Sequence, residues 1–187
     1  VHWINSTGLS FRGDVENASS VFEENRLAWS LSDSCKQLRL QLGQMPATKK
    51  VKKVVCFGLG DICRKPPDWM RRRPALGEHD LATSSVRGRM VQHSIALTLA
   101  EICRDRTGNE VKLLAQDPDY TEEAKRILTE FGFEIVGNFG AGGFAEVDDD
   151  TVVFSVFVEA PLKQIIADIA RHLLIFTTGF DTFNDSE

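Results

Sequence analysis

The chain has 187 residues, 42% of them hydrophobic and 26% charged, with a formal net charge of −5. These are ordinary values for one globular domain with a core of its own. No apolar run approaches the ~20 residues of a bilayer span, and VHWINSTGLS has neither a basic nor an apolar signal region, so a membrane or secretory class is not expected.

Residues 1–28 mix Gly, Ser, Asn and charge without periodicity and read as an arm with at most short structure. Leu31, Cys35, Leu38 and Leu42 then recur at spacings of four, three and four, the stripe of an amphipathic helix. Ser32 or Asp33 can cap this helix and Gly43 can end it. The division expected is an arm and amphipathic helix over 1–46 and a single domain over 47–187.

Val54 to Phe57 is a continuous apolar run ended by glycine, as in a strand covered on both faces, which implies a parallel sheet. A long helix follows at about 87–104, with Ser84 or Ser85 as its cap. Further strands are expected near 111–116, 133–137, 151–158 and 173–178. Helices are expected after Thr121 and after Pro161, a proline suited to a first turn. Strands alternating with helices predict a Rossmann-like, three-layer α/β fold with a five-stranded parallel sheet ordered 3-2-1-4-5. Two segments depart from that plan. Residues 62–83 are rich in Pro and Arg and read as a mobile insertion, and GNFGAGGFAEVDDD reads as a flexible connection with little or no helix.

Charge is unevenly spread. From Ala47 to Arg73 there are nine bases against two acids, and from Asp117 to Glu187 fifteen acids against four bases. The acidic half would oppose nucleic acid, and the bases lack interleaved aromatics, so a solvated face is favoured over a nucleic-acid patch. Cys35, Cys56, Cys63 and Cys103 match no metal spacing, and the four histidines are scattered singly. The expectation is reduced thiols, no metal, and a cytoplasmic or nuclear location. Cys56, inside VVCF, reads as a buried hydrophobe.

With this strand order the switch point falls between strands one and four, and a ligand is expected there, at the carboxyl ends of the strands. The residues expected there begin with Gly58, Gly60 and Asp61 of the G-L-G-D turn. Glycines let backbone approach a phosphate or adenosyl group, but the third glycine of a dinucleotide motif is missing and a structural tight turn explains the pattern as well. Asp117 ends the second strand, where a carboxylate can accept from ribose hydroxyls or can initiate the Asp117-Pro118 turn and cap the next helix. Gln92, Pro161, Thr178 and Gly179 complete the candidate pocket. Glu159 is the candidate acid or base, with a helix-dipole role as its alternative. His93 reads as a hydrogen-bonded structural residue. Asp148 to Asp150 offer no spaced ligand set for a cation.

CFGLGD, Gln92 with Ala96-Leu97, DPDYTEEAKRILTEFGFEIV, TVVFSVFVEAP and LLIFTTGFDTF, in that order, resemble the SRR-like domain family, named for sensitivity to red light reduced. The resemblance spans about 51–183. Val158-Glu159-Ala160 stands where the family has Pro-His-Cys, and Gly179-Phe180-Asp181-Thr182-Phe183 where it has Gly-Asn-Ser-Phe, departures similar to those of a divergent eukaryotic, fungal branch. The resemblance implies a regulatory or binding role with a protein partner or small-molecule ligand, since plant members act in red-light and circadian signalling. The other class is an enzyme, a transferase using adenosyl-methionine or another adenosine-containing cofactor.

Overall fold

The computed structural model describes residues 13–66, 81–137, 141–156, 162–169 and 174–177. Five parallel strands form one sheet in the order β3-β2-β1-β4-β5: β1 (Lys53–Phe57), β2 (Lys112–Gln116), β3 (Glu134–Ile135), β4 (Thr151–Phe154) and β5 (Leu174–Phe176). The order and direction are those expected from sequence. β1 lies between β2 and β4, with Val55 level with Leu114 and Val153.

The period of two in a strand explains the two cores. Val54 and Cys56 of β1 join Leu113, Ala115, Val152 and Phe154 on one face of the sheet. Val55 and Phe57 join Leu114, Val153, Leu162 and Ile166 on the other. The central strands are buried on both sides, so their sequences show no polar alternation.

The first face is covered by α3 (Leu81–Thr107), with α1 (Ala18–Leu31) and α2 (Asp33–Gln44) packed outside it. A short 3-10 turn (Pro46–Lys50) leads from α2 to β1. Being sandwiched, α3 is buried over nearly all of His93–Ala100. Its buried hydroxyls are satisfied within the helix: Ser94 donates to the Met90 carbonyl at 2.8 Å and Thr98 to that of Ser94 at 2.9 Å. α4 (Glu122–Glu130) joins β2 to β3. Its cap is Thr121, whose Oγ1 accepts from the Ala124 N–H at 3.1 Å, and Glu122 and Glu123 complement its dipole. On the second face lie α5 (Gly142–Ala145) and α6 (Leu162–Ile169).

Several expectations are corrected. Residues 18–28 are helical: α1 inserts Phe22, which is fully buried, against Phe131 with ring centroids 4.8 Å apart. The apolar contacts of α1 are widely spaced and interrupted by charge, which hid the helix. Ser32 caps α2 as expected, but Gly43 lies inside that helix. Ser84 and Ser85 lie within α3, because nothing after Leu81 breaks a helix there. In the presumed insertion, Ile62, Cys63 and Pro66 are buried rather than solvated, and 81–83 belong to α3; residues 67–80 lie outside the described residues.

The described part of the glycine-rich connection from residue 141 on is also better fixed than its composition implied. Phe144 stacks on Phe57 at 4.7 Å, and the buried Gly143 donates its N–H to Gln116 Oε1 at 3.0 Å. The uneven charge becomes local pairing, because parallel strands place the start of β1 beside the start of β4. Lys53 Nζ lies 2.7 Å from Asp148 and Lys52 Nζ 2.6 Å from Asp150. Such surface pairs contribute only about 0–1 kcal/mol each.

Candidate functional site at the strand ends

The turn after β1 is built around two glycines with positive φ, Gly58 at 66° and Gly60 at 79°. Only glycine adopts such angles without strain. The Gly58 N–H extends the ladder to the Gln116 carbonyl at 3.0 Å. The Gly60 N–H donates to Asp117 Oδ2 at 2.7 Å, so the ends of β1 and β2 are tied through a carboxylate. The other oxygen of Asp117 accepts from the Asp119 N–H at 2.8 Å, an Asx turn through Pro118. Asp117 therefore does not cap α4.

Asp61 is fully buried. Oδ1 accepts from the Cys63 N–H at 2.6 Å and Oδ2 from the Thr121 N–H at 2.5 Å. It is an internal brace between the turn and the start of α4. Arg89, on α3, donates through Nη1 to the carbonyls of Asp61 at 3.1 Å and Arg64 at 2.9 Å. A Cβ on Gly60 would stand 2.8 Å from Arg89 Cδ, so this glycine admits the arginine side chain as well as the turn.

Behind the turn lies a buried polar pair. His93 Nδ1 is 2.8 Å from the Arg89 carbonyl, and Nε2 is 2.8 Å from the Tyr120 hydroxyl. A carbonyl only accepts, so Nδ1 carries the proton and Tyr120 donates to Nε2. Burial holds the imidazole at about 4, below its usual value, and pushes the Tyr120 phenol well above its own. His93 is neutral at pH 7 and both its nitrogens are engaged.

Electrostatics separates the carboxylates and thiols. Burial pushes Asp117 up to about 6 despite its two amide donors, and the residue as a whole is half-buried. Burial raises the Cys56 thiol far above its usual range and Cys63 to about 12, Cys63 also feeling the Asp61 charge. Cys103 rises to about 11 for the same reason, burial. These thiols are protonated at neutral pH and are not poised as nucleophiles.

Of the sequence candidates, Gly58, Gly60, Asp61, Asp117 and Pro118 gather at the carboxyl ends of β1 and β2. Gln92 is half-buried on α3 beside His93. Glu159, Pro161, Thr178 and Gly179 lie outside the described residues. Sequence reasoning missed Gln116, Arg89 and Tyr120. Gln116 had one available signal, a polar residue closing an otherwise apolar strand. Its amide is enclosed by Gly137 and Gly143, where an added Cβ would come within 2.5 and 2.3 Å of it.

Residues 32–187 match the SRR1 domain. The chain belongs to the SRR1 domain family. The resemblance carried by CFGLGD and the later motifs is thereby established for most of this SRR1-domain chain. No curated protein and no solved structure matches it. Among the described residues no helix is long and apolar enough to cross a membrane, and no cluster of three or more His, Cys, Asp or Glu could hold a metal.

Proposed function

We propose that this SRR1-domain protein is a regulatory binding module of the cytoplasm or nucleus. Its ligand, an adenosine-containing small molecule, sits at the carboxyl ends of β1 and β2, and a protein partner reads the liganded state. The observation that carries the proposal is how the polar groups at that edge are used. Asp61, His93 and Tyr120 are spent on holding the turn, and the thiols nearby are kept protonated. They make a rigid platform from which Gly58, Gly60 and Asp117 meet a ligand. The glycines supply close backbone approach, and the half-buried Asp117 supplies a ribose acceptor. Four buried free cysteines suit a reducing compartment.

A second reading, an adenosyl-dependent transferase using Glu159, is favoured by the Asp117 carboxyl, whose value of about 6 suits proton exchange near neutrality. One experiment addresses both. Adenosyl-methionine, nicotinamide dinucleotide and adenosine triphosphate are each added to the purified chain while melting and ligand turnover are followed. A ligand at 100 times its Kd adds about 2.7 kcal/mol, which in a domain of this size raises Tm by roughly 5–10 °C. A melting shift without turnover supports the binding module, turnover supports the transferase, and neither effect with any of the three contradicts an adenosine-type ligand.

A further inference from the structure

Residues 13–31 precede the family match, which begins at Ser32, yet they reach the candidate site. Asp14 forms an antiparallel bridge with Arg64. The Val15 N–H donates to the Cys63 carbonyl at 2.7 Å, and the Lys65 N–H donates back to the Gly13 carbonyl at 2.8 Å. These bonds close on the turn that begins at Gly58. Cys63, which accepts from Val15, donates its own N–H to the Asp61 carboxylate, and Arg64 carries one of the two carbonyls held by Arg89.

The helix that follows grips the same support. Asn25 Nδ2 lies 3.5 Å from Met90 Sδ, one residue beyond Arg89. The Phe22 ring stands edge-on to His93 at 6.2 Å, and Trp29 Nε1 donates to Thr98 Oγ1 at 3.0 Å. One stretch of chain thus holds both the turn and the helix that braces it.

We infer that residues 13–31 form a strap that sets the conformation of residues 58–65, so that displacing its first residues changes the candidate site without unfolding the domain. The physical basis is unequal anchoring. Residues 13–15 are joined to the turn by two backbone hydrogen bonds, whereas α1 is anchored by the fully buried Phe22. Releasing the first part costs far less than releasing the second, so local opening is available below the global unfolding energy. The inference rests on the proposed ligand position only for its consequence in binding; the coupling itself exists in the free chain.

The test is hydrogen exchange on the ligand-free protein, so a failed ligand titration leaves it intact. Val15→Pro removes the donor to Cys63, while Val15→Ala keeps it and controls for side-chain packing. A chain starting at Asn17 removes the clasp and keeps α1. Exchange at the Gly60, Cys63 and Lys65 amides should accelerate about tenfold in Val15→Pro and in the shortened chain, the scale of one lost hydrogen bond. It should change little in Val15→Ala, and Val55 and Leu114 should stay protected throughout. Wild-type exchange at 60–65 in the folded shortened chain would overturn the inference. So would an equal acceleration at Val55 and Leu114, which would make the segment ordinary core packing.

Discussion

Gly60 and Asp117 are 57 positions apart in sequence, yet the backbone N–H of the first donates to Oδ2 of the second at 2.7 Å. That bond ties the end of β1, one wall of the β1/β4 switch point where an open α/β sheet binds ligands, to the end of β2. It gives Asp117 a structural duty, to hold the turn, beside the proposed one of meeting a ligand. The duties are separable: Asp117→Ala leaves the Gly60 and Asp119 amides without their acceptor and should lower stability by about 1–3 kcal/mol. Asp117→Asn keeps one of the two acceptor oxygens and should recover about half of that loss in urea unfolding. Equal stability of the alanine variant and the wild type would remove Asp117 from the scaffold.

Gly60→Ala places a Cβ against Arg89 and forces φ near 79° on an L residue. The expected cost is about 1–3 kcal/mol. Arg89→Ala in the same chain should relieve the steric part and leave the backbone strain. The double variant should therefore be less destabilised than the two single changes summed, a coupling readable in a double-mutant cycle.

Two buried groups give the fold opposing pH dependences. His93 is held at about 4, below its unfolded value, so its contribution to stability is present above about 6.5 and is lost as pH falls through 4. Asp117 is raised to about 6, so its contribution is present below its ordinary 3.8 and is lost as pH rises through 6. Asp117→Asn should therefore gain stability relative to wild type between pH 4 and 7. A pH series of urea midpoints for the two proteins checks the sign; a variant whose midpoint falls relative to wild type as pH rises from 4 to 7 would contradict it.

Phe22 ties α1 into the first core. Truncation to alanine should cost about 3–5 kcal/mol, the range for a buried aromatic. A chain starting at Ser32 should melt well below the full chain, because α3 would expose the face that α1 covers. Thermal unfolding of the two chains tests this, and equal Tm values would show that α1 is dispensable.

The sheet was legible because its signals are local and redundant. VVCF, KLLA and TVVF are short apolar runs, and Thr121 and Gly132 punctuate the helix between two strands. α1 was not legible, because its identity depends on α3 lying beneath it and on one residue, Phe22, that sequence does not distinguish from an exposed aromatic. In the site, the glycines and Asp117 were readable from strand-end position alone. Their partners were not, since Arg89 and Tyr120 reach the turn only through the packing of α3 and the loop after β2. Asp61 shows the limit most clearly: a carboxylate beside a glycine turn suits a ligand, but Asp61 is fully buried with its oxygens on Cys63 and Thr121, whereas Asp117, which also accepts two amides, stays half-exposed.

The proposed function places a ligand at Gly58, Gly60 and Asp117. Backbone amide NMR during titration with adenosyl-methionine, nicotinamide dinucleotide and adenosine triphosphate tests it most directly. A binding ligand should shift Gly58, Gly60, Asp61 and Asp119 amides in a saturable way, and Asp117→Asn should weaken that binding by roughly 1–3 kcal/mol, the scale of a charged acceptor, with the turn intact. Saturable shifts confined to residues away from these strand ends, or undiminished affinity in Asp117→Asn, would contradict it.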